Sequence, residues 1–201
     1  MRASTTDTAA PLGRDETGDA PPSRAGRLLL VVVVLAVVLA LDLGTKAWAW
    51  EHVRGHSHRI IDGLLHFEFG FNTGSAFGMF RGQAWARAAF ITITALALAG
   101  LGRLVLLMST RHASTFVAAG LLAGGALGNL YDRMFRVLGT RHGVVDFIVV
   151  FYWPGRRWPS FNIADAALLF GVLLFLIYIS RHGELYPQPS AGADRDTLPA
   201  G

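Results

Sequence analysis

Four long apolar runs, set apart by polar or mixed connections, organise this chain. They cover Leu28 to about Trp50, about 86–108, about 113–131 and about 163–180. A helix rises ~1.5 Å per residue, so about 20 residues cross the ~30 Å hydrocarbon layer of a bilayer. Each run therefore predicts a membrane-spanning helix. The connection 109–112 is short, whereas 51–85 and 132–162 are long. Four spans put both chain ends on one side and both long connections on the other. Within those connections, Ile60 to Phe71 (IIDGLLHFEFGF) and Val144 to Trp153 (VVDFIVVFYW) are strand-like and too short to span as helices. They predict a small sheet-like element at the membrane surface beside the bundle. The expected fold is thus an all-α membrane protein with four transmembrane helices and a small β-like element from the long loops.

Residues 1–26 carry Pro, Gly, Ser, Thr, Asp and Arg with few large apolar side chains, and 184–201 read alike. Neither stretch has the apolar surface to order itself, so both read as disordered tails around a membrane domain at 27–183. A cleaved signal peptide is the competing reading of the first run. Its length, its position behind the tail and the lack of a small-x-small site after it argue against that.

Composition sharpens this picture. The chain is 52% hydrophobic with a mean hydropathy of +0.41, too apolar for an ordinary soluble domain. Its net charge of +4 comes from arginines scattered through the connections, with Lys46 as the only lysine. That distribution suits anionic lipid headgroups rather than a nucleic-acid groove. With no Cys, thiol nucleophiles, thiolate metal sites and disulfides are excluded. Arginines near the spans are more numerous on the long-connection side (Arg54, Arg59, Arg81, Arg133, Arg136, Arg141, Arg156 and Arg157) than on the tail side. The positive-inside count therefore does not place the tails in the cytoplasm.

The candidate chemistry lies in a series of aspartates set in apolar sequence: Asp132 in GGALGNLYDR, Asp146 in GVVDFIVV and Asp165 in FNIADAALLF. An ionisable group at membrane depth is costly and marks a functional site by default. Two carboxyl groups brought together in a dry site share one proton, so one can act as base and the other as acid. Each position also has a plainer reading. Asp146 could be the one water-facing residue of a strand. Asn162 and Asp165 fit the N-cap and N3 positions of a helix. Asn129, Asp132 and Arg133, at i, i+3 and i+4, could be a polar helix end. Gly120, Gly124 and Gly128 recur every four residues just before them, a spacing that lets helices pack closely in lipid.

Asp42 and Lys46 fit an ion pair at i, i+4. The alternative, a buried Lys46 activating Ser75 as a nucleophile, is the weaker reading. Asn72, in NTGSAFG, is a turn residue or a group that holds substrate backbone. His52, His56 and His58 cluster without metalloprotease spacing, so neither metal nor cofactor is expected.

Five segments together, DLGTK (42–46), NTGSAFG (72–78), GGALGNLYDR (124–133), VVDF (144–147) and FNIAD (161–165), resemble bacterial lipoprotein signal peptidase, the signal peptidase II family. The match spans about 28–182. The resemblance implies a membrane aspartyl endopeptidase that cuts the signal peptide from diacylglyceryl-modified prolipoproteins just before the lipidated Cys. It implies Asp146 and Asp165 as the catalytic pair, with Asn72, Asn129, Arg133 and Asn162 around the substrate and Asp42, Lys46 and Asp132 in support. It also implies a protein of the bacterial cytoplasmic membrane with both termini inside and the site and β-like element at the outer face. A monomer is expected, with membrane lipids and prolipoproteins as partners and no nucleic acid. Two other classes remain beside it. A carboxylate-relay transporter predicts paired repeats, which the chain lacks. A membrane adaptor predicts that Asp146 and Asp165 tolerate Asn.

Overall fold

The computed structural model describes residues 23–74, 84–109 and 111–182. The second tail, most of the first, and Ser75 of the nucleophile alternative lie outside these residues. Four of the described helices are long and apolar enough to cross a membrane. They are α1 (Arg24–His52), α2 (Ala84–Leu107), α3 (Ala113–Phe135) and α4 (Ile163–His182). α1 starts at Arg24, inside the stretch read as tail, because the Ser23 hydroxyl accepts the Gly26 N–H at 3.1 Å and caps it.

α3 is the central helix, packed on α1, α4 and α2. Its glycines make this possible. A Cβ at Gly120 would stand 2.7 Å from Val34 Cβ, one at Gly124 would stand 2.7 Å from Val38 Cβ, and one at Gly128 would overlap the Asp42 carboxylate. Small residues at four-residue spacing thus let α1 lie against the α3 backbone.

The bundle has two chemically distinct ends. At one end the Arg24 guanidinium donates to the Leu106 carbonyl. There the His112 ring, at the start of α3, meets the His182 ring at the end of α4, 4.3 Å between centroids. The first and last described residues therefore lie at the same end. At the other end Arg87, near the start of α2, donates to the carbonyls of Arg133 and Met134 at 2.9 and 3.2 Å.

This second end carries β1 (His58–Ile61), β2 (Leu65–Asn72), β3 (Val137–Leu138), β4 (Arg141–His142), β5 (Val144–Trp153) and β6 (Arg156–Arg157). An antiparallel sheet runs β1-β2-β5-β6, and β3 and β4 form a separate hairpin. The four spans and the small β element are as expected, but the fold is mostly helical rather than all-α: strands make up 19% of the described residues. The 51–85 and 132–162 connections supply β2 and β5, which pair with Gly70 opposite Asp146 and Asn72 opposite Val144. Alternation does the rest. Val145 and Phe147 join Ala49 and Val53 of α1 in one apolar cluster, and Asp146, between them, faces the other way. Trp50 sits edge-on to Phe69 and Phe71 at 5.6 and 6.0 Å, which fixes the sheet to the end of α1.

Candidate active site

α4 begins immediately after Asn162, and its first turn builds half of the site. The Asn162 Oδ1 accepts the Asp165 N–H at 2.9 Å, and the Asp165 Oδ2 accepts the Asn162 N–H at 3.2 Å. This is a reciprocal cap in which each residue satisfies the other's otherwise orphaned amide. The capping reading of these two residues is therefore correct, and it does not exclude a chemical one. The other face of Asn162 reaches across to β5. Its Nδ2 donates to the Asp146 Oδ1 at 2.7 Å and lies 3.3 Å from the Val145 carbonyl.

Asp146 is 4% exposed, so it is not the water-facing residue of a surface strand. Its Oδ2 accepts from the Asn72 Nδ2 at 3.1 Å. Asn72 lies two residues past Gly70, the partner of Asp146 in the ladder, and so shares its face of the sheet. The Asn72 Oδ1 in turn accepts the Gly74 N–H at 3.1 Å, a side-chain turn that fixes the amide. Turn residue and carboxylate partner are one role here. Burial, and then the charge of Asp165, push the Asp146 carboxyl up to about 7, against the pull of the two amides and of Lys46.

Asp165 completes the pair. Its Oδ1 accepts from the Asn129 Nδ2 at 2.8 Å. The Asn129 Oδ1 is held by the Lys46 Nζ at 2.9 Å. Lys46 thereby links the pair to a buried ionic cluster beneath it. Its Nζ lies 2.7 Å from the Asp42 Oδ2 and 3.4 Å from the Asp132 Oδ2, and all three side chains are fully buried. The i, i+4 pair expected of Asp42 and Lys46 is present. The Lys46 Nζ is thus surrounded by Asp42, Asp132 and Asn129, and Ser75 of the alternative lies outside the described residues.

The two acids of the cluster position the two halves of the site. The Asp42 Oδ1 accepts the Ala164 N–H at 2.9 Å, one residue before Asp165. The Asp132 Oδ2 accepts the Val145 N–H at 3.1 Å, one residue before Asp146. The helix end carrying Asn129, Asp132 and Arg133 extends to Phe135, beyond the apolar run, because these partners satisfy its polar groups. Arg133 leaves this network. Its guanidinium stacks over Phe90 at 5.2 Å and donates to the Asn129 carbonyl at 3.3 Å, while its buried Nε has no hydrogen-bond partner among the described residues.

The structure thus brings all nine sequence-identified residues to one end of the bundle. Sequence reasoning missed Arg136, whose Nε donates to the Asp132 Oδ1 at 2.7 Å; its i+4 spacing from Asp132 is the signal that could have found it. It also missed Gly70 and Phe90, for which the sequence carries no such signal. Among the described residues no three His, Asp or Glu side chains converge as a metal site requires.

Asp146 and Asp165, held together through Asn162 at the end of a four-helix membrane bundle, are the setting in which the chain's relatives become informative. Residues 34–181 match the family model described as Signal peptidase (SPase) II. The chain belongs to the signal peptidase II family. It is 37% identical over 159 residues to the lipoprotein signal peptidase of Symbiobacterium thermophilum, covering 77% of this chain and 99% of that one. It is 36% identical over 169 residues to the corresponding protein of Mycobacterium avium, covering 83% and 86%. A solved bacterial membrane enzyme superposes with a TM-score of 0.63 at 30% identity, covering 82% of this chain and 93% of the other. Membership makes this chain a membrane protease that processes lipoproteins, and the carboxylate cluster lies inside the matched range.

Proposed function

We propose that the protein is an aspartyl endopeptidase that removes the signal peptide from diacylglyceryl-modified prolipoproteins by cutting just before the lipidated Cys. The observation that carries this reading is that Asn162 joins the two acids, donating from its Nδ2 to the Asp146 carboxyl and from its backbone N–H to the Asp165 carboxyl. Asp146, with its carboxyl raised to about 7, carries the proton of the resting pair, and Asp165 is the base. Asp165 takes a proton from a water as the water oxygen bonds to the scissile carbonyl carbon. Asp146 protonates the carbonyl oxygen. The tetrahedral centre then collapses: Asp146 takes back a hydroxyl proton as the carbonyl re-forms, the C–N bond breaks, and the amine of the Cys leaves with the proton held by Asp165. The signal peptide keeps the new carboxyl group. The Arg133 Nε, without a partner among the described residues, is the donor for a substrate carbonyl, and Asn72, Asn129 and Asn162 hold the carboxyl pair. Asp42, Lys46 and Asp132 keep the two halves together from below.

We place both termini in the cytoplasm and the sheet and carboxyl pair at the outer face of the bacterial cytoplasmic membrane. The secreted part of a prolipoprotein lies on that side. A single chain supplies both carboxyl groups, so the monomer is the working unit. Purified protein reconstituted with a diacylglyceryl prolipoprotein should release the signal peptide, read as a mass loss. Asp146→Asn and Asp165→Asn should each abolish that loss while the protein stays folded. Turnover by either variant near the wild-type rate would remove that residue from the mechanism.

A further inference from the structure

A groove of about 370 Å³ opens on the sheet and reaches Gly70, the ladder partner of Asp146. Glu68 and Gly70 of β2 line one side, and Arg157, Trp158 and Ser160 line the other. β5 runs between them. It is bonded on one edge to β2 and on the other to the returning chain, through Trp158 N–H to the Val150 carbonyl at 2.8 Å and Phe161 N–H to the Ile148 carbonyl at 3.0 Å.

The two ends of the groove differ. Gly70 stands opposite Asp146, and a Cβ there would come within 3.0 Å of the Asp146 carbonyl oxygen and 3.2 Å of the Ser160 Oγ. The inner end therefore lies against the strand position that carries the carboxyl group, kept open by the absence of a side chain. At the outer end the Arg157 Nη1 donates to the Glu68 Oε2 at 2.6 Å in a largely exposed pair.

None of these residues belongs to a membrane-spanning helix. The signal segment and the acyl chains of a prolipoprotein are apolar and belong among the spans. A polar groove that leads from the strand position of Asp146 to an exposed ion pair suits the remaining part of such a substrate.

We propose that this groove holds the first residues of the mature polypeptide, those that follow the lipidated Cys, in extended form, with Arg157 and Glu68 reading their charge. The proposal rests on the reaction proposed above. Exposed ion pairs hold only weakly, so an acidic substrate side chain can draw Arg157 from Glu68 and a basic one can draw Glu68 from Arg157. The wild type is then nearly indifferent to the sign of charge. Arg157→Glu makes the outer end acidic, and Glu68→Arg makes it basic.

The test uses paired lipidated substrates that differ only in Lys or Asp at the two positions after the Cys. Arg157→Glu should favour the Lys substrate in kcat/KM by about fivefold, the size of one exposed charge interaction, chiefly through KM. Glu68→Arg should favour the Asp substrate to a similar degree. The double exchange should restore indifference, which a merely misfolded variant cannot do. In parallel, the full-length Asp165→Asn variant should bind a substrate carrying a photoreactive side chain at those positions and crosslink at residues 157–160. The proposal is overturned if the Lys-to-Asp ratio is the same in all variants. It is equally overturned if the crosslink falls elsewhere, for example in the neighbouring groove of about 390 Å³ lined by Thr73, Leu138 and Arg141. Absence of any cleavage by the wild type would count against the reaction itself, and the crosslink would still report on the groove.

Discussion

Asn162 and Asp165 cap each other: each side chain accepts the other's backbone N–H, at 2.9 and 3.2 Å. Because the Asn162 Nδ2 also donates to Asp146 at 2.7 Å, one residue ends a helix and joins two carboxyl groups. The two duties separate by mutation. Asn162→Ala should lose about 1 kcal/mol of stability with the cap and about 100-fold in turnover with the bridge. Asn162→Ser keeps a capping oxygen and lacks the bridging amide, so its melting temperature should stay near wild type while turnover stays low. Near-normal turnover of the Ser variant would show that the bridge is dispensable.

The raised carboxyl of Asp146 links activity and stability to pH. Its ordinary value is 3.8 and burial with the Asp165 charge lifts it to about 7. The unfolded chain therefore ionises at this position first. The contribution of the group to stability is complete below about pH 4 and is lost as pH rises through about 7. Asp146→Asn carries no such dependence. The melting temperature of this inactive variant, relative to wild type, should therefore be higher at pH 8 than at pH 5. An offset that does not change with pH would mean that Asp146 is not held protonated by the fold. Wild-type turnover should fall above about pH 7, as the acid of the pair is lost.

Lys46 neutralises two buried acids at once, at 2.7 and 3.4 Å. Lys46→Met should therefore destabilise the protein by about 3–5 kcal/mol, because Asp42 is left buried without its cation and Asp132 keeps only Arg136. Adding Asp42→Asn and Asp132→Asn should recover much of that loss in thermal unfolding, without restoring turnover. If Lys46→Met alone unfolds like wild type, the cluster is not what holds α1 to α3.

Gly128 and Gly44 make a matched pair. A Cβ at Gly128 would overlap the Asp42 carboxylate, whereas a Cβ at Gly44 in α1 meets nothing within 4 Å among the described residues. Gly128→Ala should break the Asp42 contact to the Ala164 N–H and lower both stability and turnover. Gly44→Ala should be neutral or stabilise by about 0.5–1 kcal/mol, since alanine loses less backbone freedom in a helix. Equal behaviour of the two variants in thermal unfolding would refute the close-approach account.

Some of this was legible along the chain because it depends only on local rules. The runs from Leu28, from 86, from 113 and from 163 are apolar enough to leave water whatever surrounds them, and helices stand within a few residues of each. Their ends were less legible. α3 continues to Phe135 because Asp132 meets Lys46 and the Val145 N–H, partners 86 and 13 residues distant in sequence. The extent of the sheet was hidden for a similar reason. β2 is partly buried at every position, since β5 and the aromatic end of α1 cover it, so its own sequence shows no clean alternation.

The sequence alone determined four spans, the polar residues set into them, and the family to which their order belongs. Which aspartates meet was implied only through that family resemblance. By spacing and composition Asp132, Asp146 and Asp165 are alike, all aspartates in apolar surroundings, and only the folded chain gives them different partners. Glycines at 120, 124 and 128 set α1 against α3, placing Lys46 under Asn129. The β2–β5 register puts Asp146 on the face that looks toward α4, and the cap of α4 aims Asn162 between the two carboxyl groups. Asp132 is meanwhile held by Lys46, Arg136 and a backbone amide. Local solvation decides where a segment lies, but the partner of a buried charge is decided by packing between residues far apart in the chain.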